Sequence, residues 1–205
     1  MATRAEALPE LTVGDASAWR KWLGKHHADS PGVRLVLAKG GATEPTSLTY
    51  QQALLDALSF GWIDGQGNRR DDATYLVRFT PRRKRSAWSK RNTMLAERLL
   101  AEGRMHAAGL SEVELAKADG RWESAYAGSA DIEVPDDLAA ALDAEQAAKT
   151  MFARLSAVNR YAVLYRIHSA KRPATRARRI EQFVAMLARG ETVYAQRTTP
   201  SGSDS

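Results

Sequence analysis

Thr74-Tyr75-Leu76-Val77-Arg78-Phe79-Thr80-Pro81-Arg82-Arg83-Lys84-Arg85-Ser86-Ala87-Trp88-Ser89-Lys90-Arg91-Asn92 is the stretch in which the chain changes its structural character. Thr74 to Phe79 alternates as a half-buried strand does, and Pro81, which has no N–H to give a ladder, stops it. A helical pattern follows, with Trp88, Leu95 and Leu99 forming one apolar seam and Gly103 placed to end it. Seven of the fifteen residues from Arg78 to Asn92 are cationic and none is acidic. Helix N-termini already carry partial positive charge, so cations there call for compensation by a carboxylate of the fold or by an anionic ligand.

Upstream of this stretch the pattern mixes both periodicities. Asp15 is placed to cap a short helix with Trp19, Trp22 and Leu23 on one face. Val33 to Leu37 reads as a strand between Pro31-Gly32 and Gly40-Gly41. Thr49 and Gln52 have capping-box spacing, and the helix they open is expected to end within Phe60 to Gly65. A polar turn from Gly67 to Asp72 follows. Downstream the chain reads as helical. Ser111 to Glu114 has capping-box spacing, with Leu110 and Leu115 as a hydrophobic staple. Leu138, Ala141, Leu142, Ala148, Phe152 and Leu155 read as one helix. Ser156 caps the next, and a last helix after Pro173 carries Ile180, Phe183, Val184 and Leu187.

The fold class expected is α+β and helix-dominated, a small N-terminal β-sheet with packed helices followed by a C-terminal helical module. The expected organisation is a flexible segment at 1–13, an α+β domain at 14–126, a linker at 127–135, a helical module at 136–192 and a disordered tail at 193–205.

At 205 residues the chain is long enough to bury a substantial core. A net charge of +6 and a pI near 9.7 favour acidic partners. Cysteine is absent, which excludes disulfides and thiolate chemistry. An early charge at Arg4 and the lack of an apolar h-region argue against a secretory signal, and no apolar run is long enough to span a membrane. A cytoplasmic location is therefore expected.

Several ordered motifs carry a family resemblance: Phe60-Gly61-Trp62-Ile63-Asp64-Gly65, Arg78-Phe79-Thr80-Pro81-Arg82, Ser86-Ala87-Trp88-Ser89 with Asn92, and Ala118-Asp119-Gly120-Arg121-Trp122. With Val134-Pro135-Asp136-Asp137-Leu138, Ala170-Lys171, Thr175-Arg176 and Arg179-Ile180, they resemble the bacterial YdeI/OmpD-associated, or bacteriocin-protection, family. The segment from about Val134 to Gly190 looks like that family's small helical module. The resemblance implies an association with antimicrobial-peptide resistance and an outer-membrane porin, and it implies no reaction or cofactor.

The candidate anion site read from the residues comprises Trp62, Asp64, Arg78, Thr80, Arg82, Arg83, Arg85, Ser86, Trp88, Ser89 and Asn92. Arginine forks suit phosphate or carboxylate, hydroxyls and free helix N–H groups orient an anion, and Trp88 offers a stacking face. The alternative is that Ser86 or Ser89 merely caps, Trp88 is core and the cations are solvated. Asp64 is either a turn residue, a counter-charge or a general base. Lys171, Thr175, Arg176 and Arg179 form a second basic run, which either extends the surface or pairs with the acids between Asp131 and Glu145.

The four histidines have no metal spacing, the glycines match no nucleotide-binding loop, and no metal or cofactor is expected. The leading expectation is a non-catalytic protein binding a phosphorylated small molecule or nucleic acid, with a role in stress or antimicrobial-peptide resistance. The alternatives are an enzyme acting on a small phosphorylated or carboxylated substrate, and a protein-interaction module.

Overall fold

The computed structural model describes residues 8–128 and 131–196. The chain divides into two compact units, residues 1–125 and 126–205. In order, the first unit contains β1 (Glu10–Leu11), α1 (Ala16–His26), β2 (Val33–Ala38), α2 (Tyr50–Ser59), β3 (Trp62–Arg69), β4 (Thr74–Pro81), α3 (Lys90–Ala101) and α4 (Ala107–Ala118). The second contains α5 (Asp136–Asp143), α6 (Gln146–Ala153), α7 (Ala157–His168) and α8 (Pro173–Ala188). The protein is thus α+β and helix-dominated, with one small N-terminal sheet.

The sheet order is β1-β2-β4-β3, with β1 parallel to β2 and the other pairs antiparallel. Val33, Leu35 and Leu37 lie opposite Phe79, Val77 and Tyr75, so one sheet face is apolar and joins the core beneath the helices. Trp19 of α1 fastens that layer: its ring lies 5.6 Å from Phe79, and its indole N–H donates to the Ala53 carbonyl of α2 at 3.1 Å. Beside it Arg20 pairs at 2.8 Å with Asp56, which is buried and needs that cation. The second unit has its own core of Leu138, Leu142, Phe152, Val163, Leu164, Ile167, Ile180 and Leu187.

Local capping sets several boundaries. Thr49 and Gln52 form the full capping box of α2, and Asp15 and Ser156 cap α1 and α7. Gly61, Gly103 and Gly190 follow helix ends at φ of 75°, 63° and 73°, where a Cβ would be strained.

The structure departs from the sequence reading in six places. Glu10 and Leu11, expected in a flexible lead, pair with Arg34 and Leu35 as β1. The polar Gly-rich run after Gly61 is the strand β3, whose pairing slips between Asp64 and Gly67, with Gly65 and Gln66 in a bulge. Trp88 precedes the helix, because Ser89 is its cap and α3 starts at Lys90. α4 starts at Ala107 rather than at Ser111, with the His106 ring accepting from the Ala108 N–H. The helix expected from Leu138 to Leu155 is two, since Glu145 adopts φ −130° and ψ 89° and redirects the chain so that Ala148 and Phe152 meet the core.

The last concerns the tail expected to be disordered from residue 193. Val193 packs on the second core, the Tyr194 N–H donates to Asn159 at 2.8 Å, and Gln196 accepts from the Asn159 amide at 2.9 Å. The rest of that tail, residues 1–7 of the lead and residues 129 and 130 of the linker lie outside the described residues.

Candidate functional site

The basic stretch separates into an inward and an outward set. After β4 the Arg82 N–H donates to the Gly61 carbonyl at 3.0 Å, which continues the β3–β4 pairing one step beyond Trp62 and Pro81. Arg82 is 7% exposed, and its guanidinium lies 3.6 Å from the centre of the Trp88 ring. That separation is a close cation–π stack. Trp88 is 2% exposed and meets Trp122 at 4.9 Å between ring centres. The Trp88 indole N–H has no acceptor among the described residues, so ring packing holds it.

Arg83 to Ser86 then form a closed turn. The Ser86 N–H donates to the Arg83 carbonyl at 2.8 Å, and the Ser86 Oγ accepts from the Arg83 N–H at 3.0 Å. Arg121 braces the turn from outside its sequence neighbourhood: it donates to the Ser86 carbonyl at 3.0 Å and is itself held by Asp119 at 2.7 Å. Arg83, Lys84 and Arg85 are exposed on this fixed turn, and none has an ion pair among the described residues. Ser89, the cap, accepts from the Asn92 N–H at 3.2 Å, and Asn92 is buried. Lys90 is exposed at the start of α3, whose first turn holds no acid. Arg91 is engaged, donating to Gln51 at 2.9 Å beside the Tyr50 ring.

The remaining candidates do not converge on that turn. Trp62 is 1% exposed and donates to the His27 carbonyl at 3.0 Å, so it is a core ring. Thr80 packs its methyl against Gly32. Asp64 accepts from the Tyr50 hydroxyl at 2.7 Å. Burial, then the Asp64 contact, pushes the Tyr50 phenol up to about 12, so it stays a proton donor to Asp64 near neutrality. Asp64 lies opposite Phe79 on the helix side of the sheet, whereas Arg78, its neighbour along β4, is on the other side and covers Gly65. Arg78 therefore lies across the sheet from Asp64, Trp62 and Trp88, whereas an Asp64-centred catalytic pocket would need all four on one face.

Arg78 stands directly opposite Arg34, a repulsive cross-strand pair. Glu10 relieves it at Arg34 (3.5 Å) and also holds Arg70 at 3.0 Å. Arg78 is exposed and has no carboxylate partner among the described residues.

In the second unit, Arg176 forks onto Asp137 at 2.5 and 2.8 Å and donates to the Ile167 carbonyl. Arg179 donates to the Arg166 carbonyl and to Ser169, and Thr175 is half-buried. Of that run, Lys171 is left exposed. The Arg176 hydrogen bond holds the Asp137 carboxyl below the usual carboxylate range. A depressed carboxylate contributes stability that is present above its unfolded value and lost as pH falls through its folded one. Thermal stability of the second unit should therefore decline on acidification below about pH 4. Asp137→Asn should flatten that decline, as read by circular dichroism melts across pH; an unchanged profile would remove the pair from the account.

Lys84 and Lys90 join the outward set although the sequence reading, which favoured arginine forks, left them out of the candidate site. No cluster of three or more metal-ligating side chains occurs among the described residues, and no helix among them is long and apolar enough to cross a membrane. Residues 131–190 match the family described as Bacteriocin-protection, YdeI or OmpD-Associated, and residues 11–112 match a domain of unknown function. No curated protein and no solved structure matches the chain significantly.

Proposed function

We propose, for a chain whose C-terminal unit is a YdeI/OmpD-associated module, that the N-terminal unit binds extended polyanions on its surface without catalysis. The observation that carries this reading is the braced turn: Arg83, Lys84 and Arg85 are exposed, unpaired among the described residues, and followed by Lys90 at a helix start without acids. Side chains on a pre-formed turn lose less freedom on binding than those of a mobile loop. Arg78 supplies a further cation on the outer sheet face. Because Trp62 and Trp88 are buried, base stacking is not available to them, and recognition is electrostatic and indifferent to sequence. Nucleic acid or another polyphosphate is the partner class, in the cytoplasm. A role in stress or antimicrobial-peptide resistance, in line with the family description, follows from that binding and needs no contact with a porin.

Arg83→Ala with Arg85→Ala should weaken binding of a labelled single-stranded DNA by about tenfold or more at low salt. Both are surface positions, so stability should move by less than about 0.5 kcal/mol. Equal affinity of the double variant and the parent protein, measured by fluorescence anisotropy, would end this reading.

A further inference from the structure

The second unit carries a groove that the polyanion reading does not use. It is open, has a volume of about 740 Å³, and lies between two helical stripes. On α8 the lining residues include Ala177, Ile180, Val184 and Ala188, at i, i+3, i+7 and i+11. On α5 and just beyond it they include Ala141 and Ala144. From Pro173 to Ala188 the trough follows α8 for about 22 Å, roughly four helical turns. Ala141, Ala144, Ala177, Ala185 and Ala188 line it, so a partner backbone can approach closely there, while Ile180 and Val184 give an apolar floor. An open trough that follows one long helix and is walled on its other side by the shorter α5 fits a third helix better than a compact metabolite.

The charge of the trough selects among helices. Asp137 and Arg176 neutralise each other where both stripes begin. Glu145 and Glu181 are exposed along the rest, and neither has an ion-pair partner among the described residues. Glu145 also makes no capping bond to α6. On a chain of net charge +6, this apolar trough with two uncompensated acids is a local reversal of sign.

We infer that the groove between α5 and α8 is a docking site for a cationic amphipathic helical peptide, its apolar face on Ile180 and Val184 and its lysines or arginines over Glu145 and Glu181. The inference is independent of the basic turn in the first unit, and either can fail without the other.

The test uses the full chain and a fluorescein-labelled synthetic helix of about 16 residues, leucines on one face and lysines on the other. Two control peptides accompany it: a scramble of the same composition, and a version with glutamate in place of lysine. The Leu/Lys helix should bind, and both controls should bind at least about tenfold more weakly. Ala177→Phe with Ala185→Phe fills the trough at two exposed positions and should weaken binding about tenfold or more. Glu145→Lys with Glu181→Lys leaves the trough open and should weaken it by a similar factor at low salt, less so at high salt. The second pair keeps the test decisive if the phenylalanine variant fails to fold.

Binding that is absent, equal for the scramble, or unmoved by both variant pairs overturns the proposal. So does sedimentation showing a dimer that the phenylalanine pair dissociates, since the groove would then hold a second copy of this chain.

Discussion

Replacing Trp88 by alanine is expected to destabilise the N-terminal unit by about 3–5 kcal/mol, the range for removing a large buried aromatic. Trp88 is 2% exposed, lies against Trp122 and carries the Arg82 guanidinium on its face at 3.6 Å. Its loss opens a cavity and also removes the surface on which a nearly buried cation rests, a contact worth about 2 kcal/mol when desolvated. Domains of this size are stable by about 5–15 kcal/mol, so the variant should melt at least roughly 10 °C earlier. Thermal and urea denaturation followed by circular dichroism would measure it. A ring that stacked ligand from the surface would behave in the opposite way, losing affinity with little change in melting temperature, and that result would overturn the inward assignment of Arg82 and Trp88.

Gly109→Ala should also cost the N-terminal unit about 2–3 kcal/mol, despite a helix-propensity gain of roughly 1 kcal/mol. A Cβ at Gly109 would lie 2.3 Å from the Ser59 carbonyl oxygen and 2.7 Å from the Met105 sulfur. The Ser59 oxygen is backbone at the end of α2 and already accepts from the His106 N–H at 3.0 Å, so it cannot move without releasing the start of α4. Gly24, inside α1, is the matched control. Nothing lies within 4 Å of its added Cβ, and Gly24→Ala should stabilise by up to about 1 kcal/mol. If both alanines raised stability in denaturant titrations, the close α2–α4 approach would be wrong.

The same two glycines show what a sequence can carry. Local signals were legible where the deciding contacts are local: the Thr49–Gln52 box, the Asp15 and Ser156 caps, and the strand at Val33 are all present. The start of α4 was not, because Ser111 and Glu114 imitate a capping box while the true boundary is set by packing of Gly109 on Ser59. β3 is hidden in the sequence because its outer half is polar and the strand is interrupted by a bulge at Gly65 and Gln66, which breaks the alternation.

The candidate site divides similarly. The run from Arg78 to Asn92 identified the segment, but composition gives Arg82 and Arg83 the same meaning. Only the turn from Arg83 to Ser86, closed on itself and braced by Arg121, sends Arg82 inward and its neighbours outward. The α5–α8 groove had no signal of its own, since alanines beside the Ile180 stripe read as helix formers rather than as a wall.

The central claim is that cations on the outside of the basic turn bind polyanions electrostatically. Its most direct test is the salt dependence of affinity for a single-stranded oligonucleotide of about 20 nucleotides. Four contacts, from Arg83, Lys84, Arg85 and Lys90, should give a slope of log K against log salt near −3, falling to roughly −1.5 in the Arg83→Ala, Arg85→Ala variant. A slope near zero, or one that the two substitutions leave unchanged, would contradict it.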